Sequence, residues 1–179
     1  MDRLFGIVIA SVIAVGSSSS HAATAVPAGY RQVAAEYAIP AQIFYAVALT
    51  ESGRQRTDFE GPRPWPWTLN IRGEARFFDG RRAAEAALKR ALSKGEDVID
   101  VGLMQVNWRY HQGRLGSVQG ALDPVRNLRI GARILSECHR TRADWWAAVG
   151  CYHAPADPDR AARYQARVRQ HWHRLRRAG

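Results

Sequence analysis

The first feature of this chain with chemical meaning is an acid that closes an apolar run. Glu51 follows Ile43, Phe44, Ala46, Val47, Ala48 and Leu49, a stretch of helical periodicity that Gly53 is placed to stop. Position 51 lies four and seven residues beyond Val47 and Phe44, so on a helix its carboxyl shares their core-facing stripe. Apolar surroundings and the negative end of the helix dipole both disfavour the carboxylate. Both raise the pKa, the direction a general acid needs near neutral pH. The plainer alternative is a surface glutamate at a fraying helix end.

A second cluster is Gly102-Leu103-Met104-Gln105-Val106-Asn107. Gly102 permits an unusual backbone angle or a close approach, while Leu103, Met104 and Val106 can pack. Gln105 and Asn107 present amides two positions apart, which suits the hydroxyls and N-acetyl groups of an aminosugar. Turn and capping hydrogen bonds explain the same amides nearly as well. Tyr152 adds a phenol beside Cys151, with a buried structural tyrosine as the alternative. Trp65 and Trp67 lie in a segment, Gly61 to Trp67, that three prolines keep from being helical. Their flat rings suit the faces of pyranose units as a sugar-binding wall, and a loop packed over the core suits them equally.

Several other chemistries are excluded. There is no Gly-rich phosphate loop, no Gly-x-Ser-x-Gly, no His-Glu-x-x-His and no dinucleotide fingerprint. His171 and His173 point apart on a helix, so they make no metal site.

The elements that must carry these residues are mostly helical. Residues 30–52 read as two helices parted at Pro40, residues 81–93 as a third, and Thr68 to Arg72 as a short strand. Asp123 is a suitable N-cap with Pro124 at the first helical position, and Asp144 caps a short Trp-rich helix. After Pro158, Tyr164, Val168, Trp172 and Leu175 line one stripe of a basic final helix, whose arginines face anionic murein, membrane or a partner. The expected fold is mainly α, with six or so helices and a Pro/Trp-rich insertion over 54–80 that carries a short β element.

Residues 1–25 read as a secretory signal peptide. A charged start precedes twelve apolar residues, Leu4 to Val15, and small residues end at Ala25. Twelve helical residues rise about 18 Å, short of the roughly 30 Å bilayer core. Left uncleaved, the segment would anchor the protein at the membrane. The predicted organisation is a signal peptide at 1–25, a domain at 26–159 and a basic amphipathic helix at 160–179. The formal charge of +10 gives an exported protein anionic partners outside the cytoplasm. In that compartment Cys138 and Cys151 can pair as a structural disulfide, with two free buried thiols as the alternative.

Glu51-Ser52-Gly53, then Gly102 to Asn107, then Tyr152 after a Trp-rich helix together resemble the soluble lytic transglycosylase catalytic domain, a relative of goose-type lysozyme. The resemblance covers roughly 30–155. It implies a lysozyme-like, mainly helical domain that cleaves the β-1,4 bond between N-acetylmuramic acid and N-acetylglucosamine in peptidoglycan. The implied product is a 1,6-anhydromuramoyl end, made by a lyase in the periplasm with no metal and no organic cofactor. It assigns Glu51 as the single acid/base, and places Ser52, Met104, Gln105, Asn107 and Tyr152 around the reacting sugars. No acid other than Glu51 stands out as a second carboxylate.

Two departures stand out. Gly102 lies 51 residues after Glu51, about twice the family's usual interval. The extra segment resembles transglycosylases that accompany conjugation, type IV pilus or secretion systems, whose components are then expected partners. Tyr152 is followed by His153-Ala154-Pro155 where the family usually has Asn-Ala-Gly. The rival readings are a hydrolytic muramidase on the same fold, a non-catalytic wall-binding assembly protein, and a DNA-binding module. Export and an aminosugar-type cleft speak against a specific nucleic-acid partner.

Overall fold

The computed structural model describes residues 26–58 and 61–177, so the signal peptide expected at 1–25 lies outside the described residues. Helix α1 (Ala28–Glu36) leads through Pro40 into α2 (Ala41–Ser52). Every residue from Ile43 to Leu49 in α2 is buried. The sequence suggested one apolar face, but α2 is surrounded: α1, the C-terminal helix and the short strand at Arg63–Pro64 all pack on it. That is the condition under which a helix apolar all round is stable.

Short β elements follow α2. Strands β1 (Gly53–Arg54) and β2 (Arg63–Pro64) form a two-residue antiparallel ladder, and β3 (Thr68–Ile71) pairs with β4 (Glu74–Phe77). Helix α3 (Arg81–Ser93) runs to a turn at Gly95. Strand β5 (Ile99–Val101) pairs antiparallel with β3, and β6 (Val106–Asn107) completes the order β4-β3-β5-β6. The remainder is helical: α4 (Trp108–Leu115), α5 (Val118–Ala121), α6 (Pro124–Arg142), α7 (Trp145–His153) and α8 (Pro158–Arg177). The fold is mainly α with small β elements, as expected. Among the described residues there are eight helices, two of them the short α4 and α5 that the polar stretch after Asn107 concealed. No single helix among them is long and apolar enough to cross a membrane.

Local chemistry explains the helix ends. Asp123 Oδ1 accepts from Arg126 N at 2.8 Å with Pro124 in the first turn, and Asp144 Oδ1 accepts from Ala147 N at 2.8 Å. The basic helix α8 lays Tyr164, Val168 and Leu175 into the core against α2 and α7. Its arginines stay outside. Arg169 stacks 3.9 Å from the Trp146 ring centroid, and Arg176 lies 4.8 Å from that of Trp172. Cys138 of α6 and Cys151 of α7 are joined in the structure, their Cα atoms 5.9 Å apart.

One buried side chain organises the loop between β5 and β6. Asn127, at the start of α6, accepts from Met104 N at 2.9 Å through Oδ1. Its Nδ2 donates to Val101 O at 2.9 Å and Ala121 O at 3.0 Å. Gly102 lies directly on this amide at φ +80°, and a Cβ there would stand 2.6 Å from Asn127 Nδ2. Only glycine meets both conditions. On α6, Gly131 makes room for Met104 in the same way.

Two outcomes follow. Asn127→Leu strands three buried backbone groups and should cost about 3 kcal/mol. That is a fall of roughly 10 °C in a thermal melt; a change under about 2 °C would contradict the role given to this amide. We also expect the protein purified from an oxidising compartment to show no alkylated thiol by intact mass before reduction and two after it. Replacing both cysteines by serine should cost about 3 kcal/mol, since the bond closes a short loop between two core helices.

Candidate active site

Helix α2 ends at the base of the site. Its last turn holds Glu51, whose side chain is half-buried, and Ser52, which is wholly buried. Ser52 Oγ reaches Leu103 O at 2.7 Å and Ala48 O at 3.3 Å. Ser52 is wholly buried and its hydroxyl proton is committed to these carbonyls, so in this structure it stitches the end of α2 to the loop after Gly102 where the sequence suggested a substrate contact.

Glu51 receives one hydrogen bond: Tyr164 Oη donates to Oε1 at 2.5 Å, across 113 residues of sequence. Burial is the main cause that pushes the Glu51 carboxyl up to about 7. The negative charge of Asp100 adds to the rise, while the Tyr164 hydrogen bond and the Arg167 guanidinium oppose it. Asp100 is itself raised by burial, offset by the hydrogen bond from Asn107. Tyr164 and Tyr152 are both pushed well above the usual phenol range by burial, with Glu51 as the next cause. Glu51, Asp100, Tyr152, Tyr164 and Arg167 thus form one electrostatic cluster.

Asp100, Tyr164 and Arg167 are the three members that sequence reasoning missed, Arg167 being one arginine among many on α8. Asp100 sits between buried Ile99 and Val101 on β5, opposite Asn107 of β6, so the pleat turns it away from the core. An acid alone in an apolar strand was the available signal. For Tyr164 the signal was weaker, a hydroxyl-bearing ring on the otherwise apolar stripe of α8.

The other expected contacts are brought close but largely put to structural use. Met104 is fully buried and packs beside Gly131, so its side chain is core and not cleft wall. Its carbonyl accepts from Tyr152 Oη at 2.6 Å, which commits the phenol expected to touch substrate. Asn107 Nδ2 donates to Asp100 Oδ1 at 2.7 Å, and its Oδ1 caps α4 through Tyr110 N at 3.3 Å. Gln105 Nε2 reaches Gly102 O at 2.9 Å and Thr68 O at 3.2 Å. Its backbone is left-handed at φ +44°, a strained setting for a non-glycine residue and of the kind that gathers at functional sites. The half-buried Gln105 has its amide oxygen still available.

Trp65 stands beside the end of α2, its backbone N–H donating to Ser52 O at 2.9 Å and its indole N–H to Phe78 O at 2.6 Å. Arg54 and Arg56 bring guanidinium carbons within 5.3 Å and 5.0 Å of its ring centroid. Trp67 meets it edge-on at 5.2 Å and packs against the core, its indole nitrogen buried with no hydrogen-bond partner. The insertion therefore borders the site through Trp65, with Trp67 beneath it. Among the described residues, no group of three or more His, Cys, Asp or Glu side chains could hold a metal ion.

What this arrangement can do is donate and recover one proton at Glu51. The acid is poised near neutrality, a second carboxyl lies in its field, and a tyrosine hydroxyl stands ready to stabilise its charged form.

Comparison with known proteins agrees with the geometry. Invasion protein IagB of Salmonella typhimurium, from strains SL1344 and LT2, is 33% identical over 102 residues, as is that of Salmonella typhi. These alignments cover 51% of this chain and 63% of each relative, so the chain spans less than two thirds of the length of the curated relatives it matches. No solved structure gives a significant match. The model of the Transglycosylase SLT domain matches residues 30–174, a span that holds Glu51, the whole 102–107 loop and the Tyr164 that bonds the acid. The chain therefore belongs to the transglycosylase SLT domain family.

Proposed function

We propose that this protein is a peptidoglycan lytic transglycosylase that cleaves the β-1,4 bond between N-acetylmuramic acid and N-acetylglucosamine. The observation that carries the reading is the Glu51 carboxyl, half-buried, raised to about 7 and held by a tyrosine hydroxyl. At neutral pH a large fraction of it is protonated. The proton passes to the glycosidic oxygen as the bond to the muramic acid anomeric carbon breaks. The sugar's own N-acetyl group assists, since one acid does the proton work.

Glu51, now a carboxylate, is stabilised by Tyr164 and Arg167 until it takes the proton of the C6 hydroxyl. Oxygen 6 then bonds to the anomeric carbon and closes the 1,6-anhydro ring. One bond breaks, one forms, the proton returns to Glu51, and no water is consumed. The Gln105 amide and the Trp65 edge of the insertion are the groups left to position the glycan. The family match and the cationic surface of α8 support a substrate in the anionic wall polymer. Export by residues 1–25 to the periplasm, and local wall opening for a conjugation, pilus or secretion apparatus, complete the proposal. The similarity to proteins named for invasion supports that last element.

Asp100 favours a second reading. A carboxyl coupled to the acid is what a hydrolytic muramidase uses to steady charge or guide water. The products separate the two. Mass spectrometry of digested murein should show muropeptides lighter by one water, with anhydro ends. Asp100→Asn should leave that product unchanged and move the alkaline limb of the pH profile down, because the like charge that raises Glu51 is gone. Reducing ends, abolished by the same substitution, would establish the hydrolase instead.

Glu51→Gln keeps the shape and removes the proton. We expect loss of murein clearing by at least about 100-fold. Retention of a tenth of the rate would remove Glu51 from the mechanism. The same variant tests the acidity. A folded-state pKa raised from 4.5 to about 7 means that wild-type stability is full below about 4.5 and declines as pH climbs to about 7. Glu51→Gln should lack this decline, so its melting temperature should gain on that of wild type across the same window.

A further inference from the structure

The mechanism leaves one ring at the site unused. His153 ends α7, directly after Tyr152, and is half-buried. Its imidazole lies flat on the Tyr164 ring, with centroids 4.3 Å apart and planes 4° from parallel. Tyr164 is the residue whose hydroxyl meets Glu51 Oε1 at 2.5 Å. One turn along α8, Arg167 places its guanidinium carbon 5.5 Å from the same ring centroid. The tyrosine is thus held by its neighbours at the ring and by the acid at the tip.

The aim of a phenol hydroxyl depends on where its ring plane sits. A hydrogen bond is directional, so a small tilt of the ring weakens it, and a buried phenol with a gap beside it is free to take that tilt. The end of α7 fills the space against the Tyr164 ring with the His153 imidazole. The charged groups that face His153 from α8 are Arg160 and Arg167. Together with burial they keep the imidazole below its ordinary pKa, so it stacks as a neutral ring at pH 7. A neutral ring adds no second positive charge beside Glu51, where Arg167 already acts on the carboxyl.

We propose that the neutral His153 imidazole, stacked on Tyr164, holds the tyrosine hydroxyl on the Glu51 carboxyl and so is a positioning residue for the acid. The role rests on the assignment of Glu51 as acid/base, but its physical content can be read without substrate. Tyr164 stabilises the charged form of Glu51, so loosening it makes that form harder to reach.

The experiment follows the Glu51 side-chain carboxyl by carbon-13 NMR through a pH titration in wild type, His153→Ala and His153→Phe, alongside cleavage of soluble glycan strands. His153→Ala should move the Glu51 titration upward by about half a unit or more. It should also lower kcat by about tenfold while KM stays within about twofold. His153→Phe keeps a flat, uncharged ring and should restore both readouts to near wild type. An unmoved Glu51 titration in a folded His153→Ala protein would overturn the proposal, as would a Phe variant that behaves like the Ala variant. Should wild type cleave no glycan while the titration still shifts as described, the proposed activity fails and the positioning role stands.

Discussion

A carboxyl group at the end of an apolar helix has little to stabilise its charge, and the rest of this structure is arranged around that condition at Glu51. Helix α2 is buried from Ile43 to Leu49, so the acid is carried on an element with almost no surface of its own. Its neighbours pull in opposite directions. Burial and Asp100 favour the protonated form, while Tyr164 and Arg167 favour the carboxylate. The proposed reaction asks this group to give up a proton and then recover it, which needs both forms within reach. A site with burial alone would hold the proton too tightly, and one with Arg167 alone would release it too early.

The second constraint is that two distant stretches of chain have to meet at that acid. Ser52 bonds Leu103, Asn127 bonds the backbone on either side of Gly102, and Tyr152 bonds Met104, so the 102–107 loop is held from three directions. Polar side chains that invite assignment to a ligand are here spent on the backbone of 102–105, the stretch between β5 and β6 that no ladder satisfies. Rigidity of this kind benefits a site whose reacting group must be placed within a fraction of an ångström. It also narrows what is left to meet the glycan of the proposed reaction: the acid, the Gln105 amide and the Trp65 edge of the insertion.

What could be read from the sequence follows from range. Helix caps at Asp123 and Asp144, the Pro40 break and the turn at Gly95 are decided within a few residues, and each was legible. So was the placement of Glu51 at the end of a buried apolar helix with a raised pKa, because that needs only its own helix for the reading. The short helices α4 and α5 were not, since their polar sequence lacks a periodic apolar face. Asp100, Asn127 and Tyr164 were missed because their partners come from elsewhere in the fold. The Tyr164 contact spans 113 residues, and nothing near Tyr164 distinguishes its hydroxyl from that of any core tyrosine. The amides of Gln105 and Asn107 were seen, but capping competes with recognition on equal terms until the partners are known.

The C-terminal helix shows how a charged surface and an active site can share one element. Along α8 the apolar stripe is buried in the core against α2 and α7 while the arginines remain outside, with Arg169 adding a ring contact to Trp146 of α7. Two residues break that division of labour. Tyr164 belongs to the stripe but ends in a hydroxyl that reaches the acid, and Arg167 belongs to the charged face but lies close enough to act on it. Through them the helix bears on the acidity of Glu51 as well as on stability. In the proposed reaction, a wall polymer that engages the outer arginines would act on the same helix that carries the two groups favouring the Glu51 carboxylate.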